Sequence, residues 1–275
     1  MSPTDFEFLR KHVEEHAGIV LGDDKVYLVE ARMRPLLPRC GFQSIARLAA
    51  ELRARPTGEL MDMVVEAMTT NETSFFRDMA VFDSLRESVF PQLIKSRAAT
   101  KQLDIWCAAS SSGQEPYSLL MLLRESFPEL ATWRLRYIAS DISTAMLERT
   151  RCGVYSQHEV NRGLPARLLT KYFDRHGLEW QVKPELRAAL ELRKINLVDD
   201  WPAMPPLDIV MIRNVLIYFD QQTKRTILQR IKGLLRSDGY LFLGTAESPA
   251  LLTDSFTRAD DAAAYQLSAC RQTQP

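Results

Sequence analysis

Apolar positions follow one rhythm up to about residue 90 and another from about residue 100 onward. In the first part they recur at helical spacing. Phe6, Leu9 and Val13 run to a stop at Gly18, with Thr4 as the expected cap. Tyr27, Leu28, Ala31 and Leu36 predict a helix over residues 25–37, which Pro35 kinks or ends. A third helix, residues 44–53, opens on the capping Ser44, and a fourth, residues 59–69, carries Leu60, Met63, Val64, Ala67 and Met68. Residues 80–91 read as a further helix. The prediction is a helical domain with its linker over residues 1–90.

From residue 100 the pattern alternates between strand and helix. Short apolar runs at 103–107, 135–140, 192–196, 207–212 and 240–244 predict strands, with helices at 116–127, 143–152 and 221–235. Gly239 is expected to close the last of these helices. Such βα alternation builds a mostly parallel sheet with helices on both faces, here over residues 91–275. Between 153 and 192 the alternation breaks: Tyr155, Tyr172-Phe173, Trp180 and Leu190 suggest short hairpin-like strands, an inserted β subdomain. A final strand near 263–267 is expected to pair antiparallel.

Composition narrows the class. Lys plus Arg total 35 and Asp plus Glu total 35, so no net field draws the chain to nucleic acid or an anionic membrane. The start lacks the basic and apolar regions of a signal peptide, and no apolar run reaches membrane-span length. Cys40, Cys107, Cys152 and Cys270 are scattered without a CxxC pair, which argues against a zinc site or disulfide framework and for a reducing compartment. A cytoplasmic protein that is not itself embedded in a membrane is expected.

The candidate chemistry centres on residues 103–117. A buried strand ends in Ala108-Ala109-Ser110-Ser111-Ser112-Gly113, and Glu115-Pro116 starts a helix. Strand, bare turn and helix N-terminus suit a nucleotide-like ligand; taken alone, the same stretch is equally an ordinary polar loop. Asp141 follows the second strand, where dinucleotide folds place a ribose-binding acid, although a simple helix cap reads as well there. Ligands sit off the carboxyl ends of such strands, which adds Asn196-Leu197 and Arg213-Asn214. The chain has no G-x-S-x-G, no P-loop and no G-x-G-x-x-G. His12 and His16 lack an acidic third ligand and read as a helix face, so no metal site is expected. Lys25, Arg32 and Arg39 fall seven apart, nearly in line on one helical face: either a solvated surface or a basic strip for an acidic partner.

Three segments resemble the CheR-type chemoreceptor glutamate methyltransferases. They are Asn71-Glu72-Thr73-Ser74-Phe75-Phe76-Arg77-Asp78, Ala108-Ala109-Ser110-Ser111-Ser112-Gly113-Gln114-Glu115-Pro116-Tyr117-Ser118, and Asp208-Ile209-Val210-Met211-Ile212-Arg213-Asn214-Val215-Leu216-Ile217-Tyr218-Phe219-Asp220. The likeness covers nearly the whole chain. It implies a Rossmann-like class I methyltransferase sheet with an N-terminal all-α domain and an inserted antiparallel β subdomain. It also implies an enzyme that uses S-adenosylmethionine, releases S-adenosylhomocysteine, and esterifies glutamates on the cytoplasmic signalling helices of chemoreceptors. By the resemblance, cofactor contacts fall to Asn71, Thr73, Arg77, Glu115, Asp141, Asn196, Leu197, Arg213 and Asn214. Tyr218 lies near the transferred methyl, and Arg77 and Tyr218 orient the carboxylate. Lys25, Arg32 and Arg39 gain a purpose in docking acidic receptor helices. In some members the β subdomain adds a receptor C-terminal pentapeptide as an extra strand. Here the segment between Tyr172-Phe173 and Trp180 is short, so weak or absent pentapeptide binding is expected. The rivals are a nucleic-acid methyltransferase, which the zero net charge disfavours, and a non-enzymatic adaptor that keeps the fold.

Overall fold

The structure, a computed structural model, describes residues 1–259 and 263–268; Cys270 lies outside the described residues. The chain folds as two compact units. The first comprises Met1–Thr70 with Asn196–Asp200 and Tyr218–Thr223; the second comprises Asn71–Ile195, Trp201–Ile217 and the described residues from Lys224 on.

The first unit is helical. Helix α1, Pro3–Ala17, begins two residues earlier than Thr4 would set it: Pro3 fits the first helical position, and the Ser2 hydroxyl accepts the Asp5 N–H at 3.1 Å. Gly18, at φ 69°, ends it. A 3-10 turn, Asp23–Lys25, leads to α2, Val26–Met33, and then α3, Leu36–Arg39. The single helix expected over 25–37 is therefore broken at Arg34-Pro35, because proline lacks the N–H that would extend the ladder of α2. Lys25, Arg32 and Arg39 consequently sit on three separate elements instead of one helical line, which corrects the expected strip. Helix α4, Ile45–Ala54, is capped by Ser44, whose hydroxyl accepts the Arg47 N–H at 3.3 Å, and α5 spans Glu59–Met68. Leu9, Val13, Leu48, Leu52, Val64 and Met68 are buried and form this unit's core.

The second unit starts with α6, Met79–Ser84, a π-helical turn at Leu85–Val89, and α7, Phe90–Ser96. The helix expected to end at Pro91 runs through it. Pro91 has no N–H to donate, and the wider π turn just ahead absorbs the missing bond. The α/β part then follows as β1 (Gln102–Ala108), α8 (Gln114–Ser126), β2 (Arg134–Asp141) and α9 (Thr144–Cys152). Next come β3 (Val154–Ser156), α10 (Gln157–Asn161), α11 (Ala166–Tyr172), β4 (Phe173–His176), β5 (Glu179–Val182) and α12 (Pro184–Arg187). The chain continues through β6 (Glu191–Lys194), β7 (Leu207–Ile212), α13 (Gln221–Leu234), β8 (Leu235–Leu243), β9 (Phe256–Arg258) and β10 (Tyr265–Leu267).

Seven strands form one sheet in the order β6-β2-β1-β7-β8-β10-β9. Pairing is parallel from β6 to β8, and β10 runs antiparallel to both β8 and β9. The order reverses between β1 and β7, the switch point at whose carboxyl ends open α/β sheets bind ligands. Ile105, Trp106, Ile138, Ile209, Val210 and Phe242 are fully buried along these central strands. Gly239 does not close α13 as expected but lies inside β8. A Cβ there would meet the Leu207 carbonyl at 3.0 Å, so the glycine admits the close β7 backbone where the register shifts between Leu207 and Ile209. The second sheet, β3-β5-β4, is antiparallel, and only Gly177-Leu178 joins β4 to β5. Among the described residues no helix is long and apolar enough to cross a membrane.

Candidate functional site

The turn after β1 is the most constrained backbone in the second unit. Ala109 and Ser111, at φ 52° and 50°, and Gly113, at φ 91°, are left-handed. Such residues cost energy that the surroundings must supply. They do so in detail. Ser110 N–H donates to the Ser140 carbonyl at 2.8 Å, and Ser111 N–H to Asp141 Oδ2 at 2.8 Å. The Thr150 hydroxyl donates to the Ser111 carbonyl at 3.1 Å, and the Tyr155 hydroxyl to the Ser112 carbonyl at 2.5 Å. Glycine is needed at 113 because a Cβ would meet Thr150 Cγ2 at 2.6 Å. Helix α8 starts directly behind this turn with no side-chain cap on its first N–H groups. The buried Ser110 hydroxyl has no hydrogen-bond partner.

The segment 71–78 is clamped onto this turn. The Ser111 hydroxyl donates to the Asn71 carbonyl at 2.9 Å, and the Phe76 N–H donates to the Ser118 hydroxyl at 2.9 Å. The Phe75 ring is buried and meets Tyr155 edge-on, with centroids 5.1 Å apart. Arg213, at the end of β7, closes the clamp. Its side chain is 1% exposed, pairs with the Glu115 carboxylate, and donates to Asp78 Oδ2 at 2.6 Å and the Arg77 carbonyl at 3.0 Å. Glu115 also accepts from the Cys107 thiol at 3.3 Å. Burial, and then the nearby Glu115 charge, pushes that thiol well above the ordinary cysteine range, so Cys107 is a buried donor here and not a nucleophile.

Asp141 is tied to backbone on both sides: Oδ2 accepts the Ser111 N–H in the turn, and Oδ1 accepts the Ser143 N–H at 2.9 Å, while Ser143 itself caps α9. Arg77 is half-buried, and one of its terminal nitrogens donates to the Glu72 carbonyl at 3.1 Å. Thr73 lies half-buried on the same segment. Asn214 follows Arg213 in a left-handed conformation, φ 58°. Thus Asn71, Thr73, Arg77, Glu115, Asp141, Arg213 and Asn214 all belong to the second unit.

The remaining candidates fold with the helical unit. Asn196 donates to the His16 carbonyl at 2.6 Å, at the end of α1, and to Asp199 Oδ2 at 2.9 Å; Leu197 is buried. The Tyr218 carbonyl accepts the Val20 N–H at 2.9 Å. Arg32 donates to the Met68 and Thr69 carbonyls and to the Thr70 hydroxyl, so it caps the end of α5. Lys25 pairs with Asp24 at 2.9 Å, whereas Arg39 is exposed.

Sequence reasoning missed four residues that build the site. Asp78 and Ser118 lie inside the quoted motifs and were assigned nothing. Tyr155 sits in the inserted segment, where it served only as a strand signal. Glu247 lies in a polar turn with no pattern around it; its Oε2 accepts the N–H groups of Asn214 and Gly244 at 2.8 and 2.6 Å.

Known proteins give the arrangement a context. Residues 71–263 match the family described as CheR methyltransferase, SAM binding domain, and residues 4–69 match CheR methyltransferase, all-alpha domain. Chemotaxis protein methyltransferase 1 of Pseudomonas aeruginosa is 43% identical over 257 residues, covering 92% of this chain and 93% of that protein. Chemotaxis protein methyltransferase Cher2 of Pseudomonas putida is 41% identical over 257 residues, with the same coverages. The chemotaxis protein methyltransferase of Vibrio parahaemolyticus is 38% identical over 260 residues, 93% of each chain. Among solved structures, the glycopeptide N-methyltransferase MtfA complexed with (S)-adenosyl-L-methionine aligns with a TM-score of 0.35 at 15% identity, over 68% of this chain and 63% of that one.

Proposed function

Because the chain belongs to the CheR methyltransferase family, we propose that it transfers a methyl group from S-adenosylmethionine to glutamate side chains on the cytoplasmic signalling helices of chemoreceptors. The observation that carries this reading is the strained turn after β1 with Arg213 clamping segment 71–78 onto it. The donor set fits the cofactor. A bare left-handed turn, an uncapped helix start, the unpartnered Ser110 hydroxyl and the carboxylates of Glu115 and Asp141 suit a nucleoside with a cationic amino-acid tail. Asn71, Thr73, Arg77, Glu115, Asp141, Arg213 and Asn214 of the second unit are its proposed contacts; the family resemblance also assigns Asn196 and Leu197.

When bound, the cofactor supplies a methyl on a sulfonium, a leaving group that needs no protonation. A glutamate carboxylate, with an ordinary pKa near 4.3, is already ionised at neutral pH, so the chain need not provide a general base. Its residues orient the reactants and keep water away. Arg77 has guanidinium donors beyond the one spent on Glu72, and these hold the incoming carboxylate through charge-assisted hydrogen bonds. Tyr218 offers a second orienting group. Receptor docking falls to Arg39, with Lys25 partly neutralised by Asp24 and Arg32 serving α5.

The test is transfer of labelled methyl from S-adenosylmethionine to receptor-rich membranes, followed by base treatment. Label released as methanol supports the ester; label that survives base, or none taken up, overturns it. The two-residue β4–β5 connection leaves little room for extra peptide-binding structure. Calorimetric titration with a receptor C-terminal pentapeptide is therefore expected to give no binding tighter than about micromolar, and a submicromolar Kd would contradict this.

A further inference from the structure

The turn that follows β8, residues 244–247, lies outside every motif in the sequence. Its acidic residue nevertheless reaches the end of β7. Glu247 is 8% exposed. Its Oε2 accepts the N–H groups of Gly244 at 2.6 Å and Asn214 at 2.8 Å, and its Oε1 accepts the N–H of Ile217 at 3.2 Å. Its own N–H donates to the Gly244 carbonyl at 2.9 Å, which fixes the turn that presents the carboxylate. Two of the three donors thus belong to the segment after β7 and not to the turn that carries Glu247.

That segment needs holding. Asn214 is left-handed without being glycine, a conformation that persists only where neighbours impose it. Gly244 completes the arrangement, since a Cβ there would meet Asn214 Nδ2 at 2.6 Å and Glu247 Oε2 at 2.7 Å. Bonds to a carboxylate are roughly twice as strong as neutral ones and aim their donors along fixed lines. We propose that Glu247 is a positioning residue for methyl transfer, holding the backbone of 214–217 so that the Asn214 side chain stands where the transfer requires it. The inference rests on the methyltransferase reading and adds to it a residue that touches neither reactant.

The experiment compares the full-length wild type with Glu247→Ala and Glu247→Gln, measuring kcat, KM for receptor membranes, Kd for S-adenosylhomocysteine, and Tm. Glutamine keeps an acceptor for two of the three N–H groups. Its kcat is expected to fall about tenfold, the equivalent of one charge-assisted hydrogen bond, with receptor KM within about twofold of wild type. Alanine is expected to fall further. A merely structural role would lower Tm and the active fraction while leaving kcat per folded molecule intact. That result, or wild-type kcat in Glu247→Gln, overturns the proposal. If Glu247→Ala does not fold, the glutamine variant alone decides. A wild type that forms no base-labile ester would instead count against the parent reading, so the two failures are separable.

Discussion

The large sheet handles buried charge differently at its two edges. At the amino-terminal edge acids and bases consume one another. Arg97 donates through Nε to Asp208 Oδ1 at 2.7 Å and grips both oxygens of Asp238, at 2.8 and 2.6 Å, while Asp208 Oδ2 accepts the Asp104 N–H at 2.8 Å. At the carboxyl-terminal edge two acids are spent on backbone, Asp141 on the β1 turn and Glu247 on the segment after β7, while Asp78 and Glu115 pair with the arginine that anchors segment 71–78. Unpartnered buried atoms do not separate the two edges. Asp104 Oδ1 lacks a hydrogen bond at one, Ser110 Oγ and Arg213 Nε at the other. Backbone strain does. Of the described non-glycine residues with positive φ, Phe76, Asp78, Ala109, Ser111 and Asn214 surround the carboxyl edge, and only Lys101 precedes β1. An orphaned atom marks a site where the chain has also been forced into an unfavourable shape.

The contrast is broken most severely by Arg213→Met. It removes the buried cation between Asp78 and Glu115, leaving both carboxylates uncompensated. Denaturant unfolding should show a loss of about 3–5 kcal/mol, and S-adenosylhomocysteine binding should disappear with it. Arg77→Ala sharpens the difference between a residue that builds the edge and one that acts there. Turnover should drop on the order of a hundredfold with Tm unchanged, and an unaltered rate would remove Arg77 from the site. Gly113→Ala tests the strain itself: a left-handed alanine pressed against Thr150 should cost about 1–3 kcal/mol and weaken cofactor binding, read by thermal melts with and without S-adenosylhomocysteine.

The smallest effect lies at the other edge. Burial, then the Asp208 charge, raises the Asp104 carboxyl above its ordinary value of 3.8. The folded protein therefore binds that proton more tightly than the unfolded chain does, so stability falls as pH rises from 3.8 through the raised folded value. Asp104→Asn avoids that loss. Melts should show the variant slightly more stable at pH 7, with the gain vanishing in acid.

The strands and the β1 turn were legible because a buried parallel strand is written as a continuous run of apolar residues, and small residues stand out where it ends. Asp208 to Ile212 needs no neighbour to be recognised. What was illegible depends on partners distant in sequence. Arg32 looked like one of three aligned cations, but its hydrogen bonds to the end of α5, about 36 residues on, decide its role. The helix predicted over 80–91 runs on to Ser96 because a π turn cannot be seen in residue spacing. Glu247 was invisible for the same reason as Arg32: one glutamate in a polar turn carries no period, and its meaning lies in an N–H group 33 residues earlier.

The place of β1 in the sheet bears on how the molecule is made. Its two partners are β2, which follows after one helix, and β7, whose Asp208 bonds to Asp104 across 104 residues of sequence. During synthesis β1 leaves the ribosome with one side of its backbone unpaired, and at about 5–20 residues per second it waits on the order of 5–20 s for β7 to emerge. The strand that ends in the β1 turn therefore presents an open backbone edge through that interval. The inserted small sheet, encoded between those partners, lengthens that wait.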